Sequence, residues 1–389
     1  MKILFVINNF YMKGNGMAAS ARRTVKYLLE MGHEVRVLAG PNKHAAEPQP
    51  EYCLKEYKFP FVQGIIDAQG FSYASSDPKI MEEAIRWADV VHLEEAFVLE
   101  IKAVKIAEKL GKPLTATYHL HPENITNSLG PLHYWKGLNR TILRLGRNLV
   151  FNHCAYVQCP TENVMDRLRR YHFKSNLALI SNGLIPDDCI RPQEMPEDYE
   201  DPNRPLKVVY IGRLSKEKDQ STLLEAMRYS TYAKRIQLIF AGIGPDEKRI
   251  KRLAQKLYKE GVLAYEPQFV FLDRDGLRQL SAGADLCAHC ATIEVEGLSI
   301  MEAMQQAAVP VIAVGPYSGT SQFALDHRSR FPEKNPEALA QRIDYWLSHP
   351  KERWEMGHVY AKEIQKYDIR RSVAALLDMF QKAVDLKKA

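Results

Sequence analysis

Two glutamates, Glu294 and Glu302, bracket the stretch Val295-Glu-Gly-Leu-Ser-Ile-Met301. Between them Gly297 can turn tightly at a strand end, and Leu298, Met301 and Met304 begin the apolar stripe of a helix. A loop and a helix start therefore meet between two carboxylates. The free N–H groups and positive dipole end of a helix start favour a diphosphate, and carboxylates accept hydrogen bonds from sugar hydroxyls. The stretch reads as a pocket for a nucleotide sugar.

Further candidates fall at predicted strand ends. Gly212-Arg213-Leu-Ser-Lys-Glu-Lys218 follows one strand and precedes a helix, placing two cations five residues apart. Such cations neutralise a pyrophosphate leaving group. Gly242-Ile-Gly244-Pro follows the next strand. Gly14-Asn-Gly16 follows the first strand of the chain and opens a helix, which lets backbone approach a phosphate. Asp273-Arg-Asp275 has a spacing that suits a metal, but it precedes a helix, where aspartate is a common cap. Cys287-Ala-His-Cys290 resembles half a zinc site, yet no second ligand pair follows at suitable spacing and the segment reads as a strand. No bound metal or other cofactor is expected. Neither a serine–histidine–acid signature nor a persuasive nucleophile–acid pair is present.

These residues need a frame. Lys2–Ile7 reads as a buried strand, Ala18–Met31 as a helix and Glu34–Leu38 as a second strand, which makes a βαβ unit. Val90–Leu93, Leu114–Tyr118 and Ala155–Cys159 continue a parallel sheet, with helices near Glu100–Leu110 and Glu162–Tyr171. The proline-rich, acidic stretch Ile190–Pro205 has the composition of a linker. The alternation then restarts, with strands at Leu206–Ile211, Ile236–Ala241, Val270–Phe271, Leu286–Ala288 and Val309–Val314. Helices begin near Ser221, Asp246, Gly276, Ser299 and Pro336. The expectation is an α/β chain with two Rossmann-like, doubly wound domains facing across a cleft. Residues 1–185 would be the acceptor-binding domain and 186–369 the nucleotide-sugar domain. A last helix, residues 370–389, would pack back toward the first domain.

Bulk properties narrow the function. A chain of 389 residues exceeds what one core usually serves. With 53 Lys and Arg against 47 Asp and Glu, the net charge of +6 is too small to argue for nucleic acid as the partner. The first apolar run stops at Asn8-Asn9, too early for a signal peptide, and no run approaches the ~20 apolar residues of a membrane span. A cytoplasmic chain is the simplest expectation, and its 6 cysteines read as reduced thiols.

Taken together, the chain resembles the retaining nucleotide-sugar glycosyltransferases of family four, which have the GT-B fold. The resemblance spans nearly the whole chain. It rests on Gly14 and Gly16, Thr117-Tyr-His119, Ser181-Asn182-Gly183, Gly212-Arg213 with Lys218, Gly242-Ile-Gly244, the Glu294-to-Glu302 stretch and Ala307-Ala-Val-Pro310-Val. It implies that Glu294 contacts the donor sugar hydroxyls, Glu302 the ribose, and Arg213 and Lys218 the diphosphate. The main-chain groups of Gly297, Leu298 and Ser299 would lie near phosphates and sugar, and His119 near the reacting sugar. It also implies front-face attack: the acceptor hydroxyl approaches on the side from which the diphosphate leaves, and a phosphate oxygen takes its proton, without a metal ion. The chain departs from the pattern at Ala307 or Ala308, before Val309-Pro310, where glycine is common. It departs again at Val295-Glu296, where the family usually has phenylalanine after proline or glycine.

For the acceptor, residues Tyr134–Leu149 carry the clue. At about 100° per residue, Lys136, Arg140, Arg144 and Arg147 fall in one arc and Leu138, Ile142, Leu145 and Leu149 in the opposite one. Tyr134 and Trp135 flank the apolar side. Such a helix can lie on an anionic membrane or be a core helix with a solvated basic face; both give the same amphipathic pattern. Thr117-Tyr-His119-Leu-His-Pro122-Glu-Asn124-Ile and Ser321-Gln-Phe323-Ala-Leu-Asp326 resemble the bacterial diacylglycerol glucosyltransferase branch, which favours the first reading. The expected activity is transfer of a hexose, glucose from UDP-glucose, to a lipid hydroxyl such as that of diacylglycerol. The expected setting is peripheral, on the inner face of the plasma membrane. A saccharide acceptor in capsule or cell-wall assembly is the alternative. An epimerase or hydrolase would need further acid–base groups, and a non-catalytic sensor would bind nucleotide without turnover.

Overall fold

The computed structural model describes residues 1–12, 15–42, 48–59, 63–64, 71–127 and 135–388. Gly14, Tyr134 and the Lys136 side chain lie outside the described residues. The chain divides into two compact units, Met1–Gly183 with Ile369–Ala389, and Leu184–Asp368.

The first unit is built on a parallel sheet ordered β3-β2-β1-β6-β7-β8-β9. Its strands are β1 (Lys2–Val6), β2 (Glu34–Ala39), β3 (Tyr52–Cys53), β6 (Val90–Leu93), β7 (Leu114–Thr117), β8 (Tyr156–Cys159) and β9 (Asn176–Leu179). A short antiparallel ribbon joins β4 (Glu56–Tyr57) and β5 (Tyr73–Ala74). Central strands such as Lys2-Ile-Leu-Phe-Val6 read as continuous apolar runs because both faces are covered. Helix α1 (Gly16–Glu30) starts where Asn15 accepts a hydrogen bond from the Ala18 N–H, two residues earlier than the apolar pattern indicates. Helices α2 (Val98–Lys109), α3 (Lys136–Leu149) and α4 (Glu162–Arg170) follow. The terminal helix Ile369–Lys388 completes this unit, its Ile369, Val373, Leu376, Met379 and Phe380 joining Ile3, Phe5 and Ile7 in one core.

Helix α3 corrects the expected division into two faces. Asn139 and Leu143 are its buried positions, and Gly146 packs near Ala96 and Phe151. That narrow seam lies between the basic arc and the apolar arc, so the apolar arc is not the one turned to the core. Leu145 stays 52% exposed, Leu149 41% and Trp135 63%. Arg140 and Arg144 are exposed, while half-buried Arg147 is tied down by donating to the Tyr171 carbonyl at 2.6 Å. No helix among the described residues is long and apolar enough to cross a membrane.

The second unit repeats the architecture with a parallel sheet ordered β12-β11-β10-β13-β15-β17. These strands are β10 (Leu206–Ile211), β11 (Ile236–Ala241), β12 (Gln268–Val270), β13 (Leu286–His289), β15 (Val309–Val314) and β17 (Arg330–Pro332). A two-stranded parallel pair, β14 (Ile293–Glu294) with β16 (Tyr317–Ser318), stands beside the sheet and fixes Glu294 opposite Ser318. Helix α5 (Leu298–Gln305) follows β14. The short edge strands β9 and β17 escape sequence reading because their exposed positions break the apolar run.

The stretch that reads as a linker by composition is instead a folded strap of the second unit. Arg191 is 3% exposed and donates to the carbonyls of Ala282 at 2.8 Å and Ala307 at 2.6 Å, and to that of Ala284. The Trp354 indole donates to the Gln193 carbonyl at 3.0 Å. Proline here breaks regular structure without freeing the chain, because the Arg191 side chain ties it to carbonyls elsewhere in the unit and Trp354 satisfies a carbonyl of its own.

Candidate active site

In the second unit the loops after β10 and β11 run side by side. The Gly212 N–H donates to the Ala241 carbonyl at 3.0 Å and the Leu214 N–H to that of Ile243 at 3.1 Å. A side chain on Gly242 would overlap the Gly212 carbonyl, so glycine is required for the approach. Gly242 therefore shapes the Gly212–Lys218 loop, which carries the half-buried Arg213 and Lys218. The Gln220 amide donates to the Arg213 carbonyl at 2.8 Å and pins the loop from inside.

Lys218 meets Glu294 directly. Its ammonium donates to Glu294 Oε2, and the two side chains are 19% and 17% exposed. Burial pushes the Glu294 carboxyl up, but the charge of Lys218 and its hydrogen bond outweigh burial and hold it below its ordinary value. Glu294 is thus a carboxylate. It can accept hydrogen bonds from hydroxyls, and it has no proton to deliver as a general acid.

Gly297 turns the chain between Glu294 and α5 with φ +87°, a left-handed conformation, and a Cβ there would overlap the Thr320 methyl. Its carbonyl accepts from the Ile300 and Met301 N–H groups at 3.2 and 3.3 Å, so α5 begins at Leu298. The Leu298 and Ser299 N–H groups belong to the first turn, beyond the reach of intrahelical acceptors. One turn on, Glu302 is half-buried on the same helix. Beyond the helix end Ala307 adopts φ +60°, which accounts for the preference for glycine at this point of the pattern.

In the first unit, Gly16 is the exposed first residue of α1 after β1, and His119 follows β7. His119 Nε2 donates to Glu94 Oε2 at 2.6 Å, with side chains 6% and 3% exposed. Despite burial, the neighbouring His119 and its hydrogen bond hold Glu94 below its ordinary pKa. Next to it Asn8 donates to Glu95 Oε2 from its backbone at 2.8 Å and from its amide at 2.6 Å, and the amide also reaches Glu100 at 3.2 Å. Burial raises Glu95 to about 7 and Glu100 well above the carboxyl range. His92 is locked between Thr115 and Thr117, 2.9 Å from each. Because Thr117 donates onward to Gln158, it accepts from His92 Nε2, and burial lowers the imidazole to about 4. His121 is fully buried, receives Arg167 Nη1 at 3.0 Å and is driven well below its ordinary value, so it is no surface histidine.

The structure brings Lys218, Glu294, Gly297, Leu298 and Ser299 into one neighbourhood of the second unit, with Gly242 supporting the Lys218 loop. Sequence reading missed Glu94 and the Asn8–Glu95–Glu100 cluster, and met His289 only within the Cys287–Cys290 segment weighed as half a zinc site. Glu94-Glu95 stand directly after the apolar run Val90-Val-His-Leu93, and two acids at a buried strand's end are a usable signal. Asp273 caps its helix by accepting from the Gly276 N–H at 2.9 Å, as expected. Among the described residues, no three His, Cys, Asp or Glu side chains are grouped to hold a metal ion.

Two family profiles match the chain. The one described as Glycosyltransferase Family 4 covers residues 14–188, and the one described as Glycosyl transferases group 1 covers residues 192–363. The alpha-monoglucosyldiacylglycerol synthase of Streptococcus pneumoniae is 24% identical over 336 residues, spanning 82% of this chain and 72% of that one. A sulfoquinovosyl transferase of Arabidopsis thaliana is also 24% identical, over 96% of this chain and 72% of that one. Among solved structures, the Anabaena protein HepE in complex with UDP-glucose superposes with a TM-score of 0.69 at 19% identity, covering 97% of this chain and 100% of that one. This last likeness shows the shared fold.

Proposed function

We propose that this chain, which belongs to the family-four glycosyltransferases of GT-B fold, transfers a hexose from a UDP-sugar to a lipid hydroxyl, with retention at the anomeric carbon. The observation that carries the donor half is the Lys218–Glu294 pair beside the Gly297-initiated helix start. A cation, open N–H groups and a hydroxyl acceptor there occupy one small region, which is what a diphosphate-linked sugar requires. In this reading Arg213 and Lys218 hold the diphosphate, with the Leu298 and Ser299 N–H groups at its other side. Glu294 holds sugar hydroxyls and Glu302 the ribose. For the first unit, the family resemblance assigns Gly16 to the phosphates and His119, which Glu94 orients, to the reacting sugar. The leaving phosphate takes the acceptor proton, so position and electrostatics do the catalysis, and no metal is required.

Helix α3 and the resemblance to the monoglucosyldiacylglycerol synthase support a lipid acceptor, with glucose as the sugar. Trp135, Leu145 and Leu149 are exposed on one flank of the helix and Arg140 and Arg144 on the other. Apolar side chains beside basic ones suit the interface of an anionic bilayer. Incubation with UDP-glucose and diacylglycerol vesicles should give a monohexosyl diacylglycerol by mass spectrometry. Transfer to soluble saccharides with an unmodified lipid would reject the lipid reading.

Two variants separate donor from membrane roles. Lys218→Ala should weaken UDP binding by roughly 1.5–3 kcal/mol, the worth of a charged hydrogen bond. Titration calorimetry showing unchanged UDP affinity would remove Lys218 from the diphosphate. Replacing Arg140 and Arg144 by glutamine together with Trp135→Ser should cut co-sedimentation with anionic vesicles, each basic residue near the surface being worth about 1 kcal/mol. Wild-type protein that ignores such vesicles would end the membrane reading of α3.

A further inference from the structure

Beneath the Lys218–Glu294 pair lies an imidazole that forms no part of the glycosyltransferase pattern. His289 ends β13 and is 2% exposed, its ring stacked on Tyr210 with centroids 6.3 Å apart and planes 9° apart. The Tyr210 hydroxyl donates to the Lys218 carbonyl at 2.6 Å, so the aromatic ring that seats His289 also fixes the Lys218 backbone. His289 Nε2 is buried without a hydrogen-bond partner and stands 3.7 Å from Glu294 Oε2. That distance is too long for a hydrogen bond and is closed by a small movement of the carboxylate. Burial lowers the imidazole to about 4, against the pull of Glu294, so it is neutral with one N–H to give.

We propose that His289 is a positioning residue: it takes over Glu294 Oε2 when the Lys218 ammonium turns to a bound diphosphate. The inference rests on the donor-site reading above. A carboxylate this deeply placed loses stabilisation when its counter-charge is drawn to phosphate oxygens, and it swings to find another donor. His289 Nε2, buried without a partner and 3.7 Å away, is a donor within reach when it carries the ring proton. A hydrogen bond from Nε2 holds one Glu294 oxygen and leaves the other, Oε1, for a sugar hydroxyl. Because the imidazole is neutral, it adds no charge that would hold the carboxylate away from the sugar.

The test uses the full chain with UDP and UDP-sugar. His289→Leu keeps bulk and removes the N–H; His289→Gln places an amide N–H near the position of Nε2. The Leu variant should lose about 10- to 100-fold in turnover of UDP-sugar, the worth of one hydrogen bond to a charged group, while UDP affinity stays within about twofold. The Gln variant should recover most of that loss, and in a Glu294→Ala background the Leu substitution should cost nothing more. Turnover equal to wild type in the Leu variant would overturn the inference. So would equal damage by Leu and Gln with matching loss of UDP affinity, or losses that multiply with Glu294→Ala. Wild-type protein that neither binds UDP nor turns over any UDP-sugar would remove the donor-site reading and this inference with it. Wild-type turnover with an indifferent Leu variant would remove the inference alone.

Discussion

Glu294→Ala should reduce sugar transfer by about 10²–10³-fold while leaving UDP affinity unchanged or slightly tighter. The magnitude is that of removing one preorganised hydrogen-bonding group from a transition state. The direction for UDP follows from the ion pair. Lys218 spends its charge on Glu294 in the absence of ligand, and removing the carboxylate releases that charge for a diphosphate. Initial rates with saturating acceptor, set beside calorimetric titration of UDP, separate the two effects. A parallel fall in UDP affinity would place Glu294 on the nucleotide and contradict its assignment to the sugar. Glu294→Gln keeps the shape, retains one acceptor oxygen and should fall between wild type and alanine.

The second large effect concerns the support of the site. Asp285 immediately precedes β13, the strand that delivers His289, and its side chain is 1% exposed. It accepts from Arg353 at 2.8 Å, from Arg204 at 2.7 and 3.0 Å, and from the Lys207 N–H at 2.8 Å. Arg353 is fully buried, so Asp285→Ala would strand its guanidinium without its counter-charge, at a cost of about 3–5 kcal/mol. Hydrogen exchange over residues 206–289 of the whole chain should accelerate accordingly; a change no larger than that of Arg204→Gln, whose side chain is 21% exposed, would refute this. The same carboxyl gives a pH dependence. Burial pushes it up, but the Arg204 hydrogen bond and the Arg353 charge prevail and hold it below its usual value of 3.8. Its folded-state pKa being depressed, the stabilisation is present above that usual value and is lost as pH falls through the lower one.

Much of the frame is legible in the sequence because parallel strands buried on both faces leave unbroken apolar runs. Leu206–Ile211, Ile236–Ala241 and Val309–Val314 are read to the residue for that reason. The reading fails where burial is one-sided or achieved by polar groups. Strand β9 is Asn176-Leu-Ala-Leu179 with no fully buried position, and the 190–205 strap is held by Arg191, which composition scores as polar. Helix α3 shows a subtler limit: its pattern fixes which residues share an arc, but which side is buried depends on the neighbours it meets, Ala96 and Phe151 near Gly146 and Thr126 at Asn139.

The donor motif is legible because its glycines answer to backbone geometry that no other residue meets, as at Gly297 and Gly242. Its interior is not. Glu94, just past the end of β6, supports His119, just past the end of β7, and His289 lies under Glu294 in a segment whose cysteines suggest zinc instead. Both relations cross between strands, and spacing along the chain carries no trace of them.

Lipid-dependent transfer of glucose is tested most directly by measuring UDP release from a panel of UDP-sugars, with and without diacylglycerol vesicles. Release from one donor, UDP-glucose, that depends on the lipid is the expected result. Release indifferent to lipid, or none from any UDP-sugar, would contradict it.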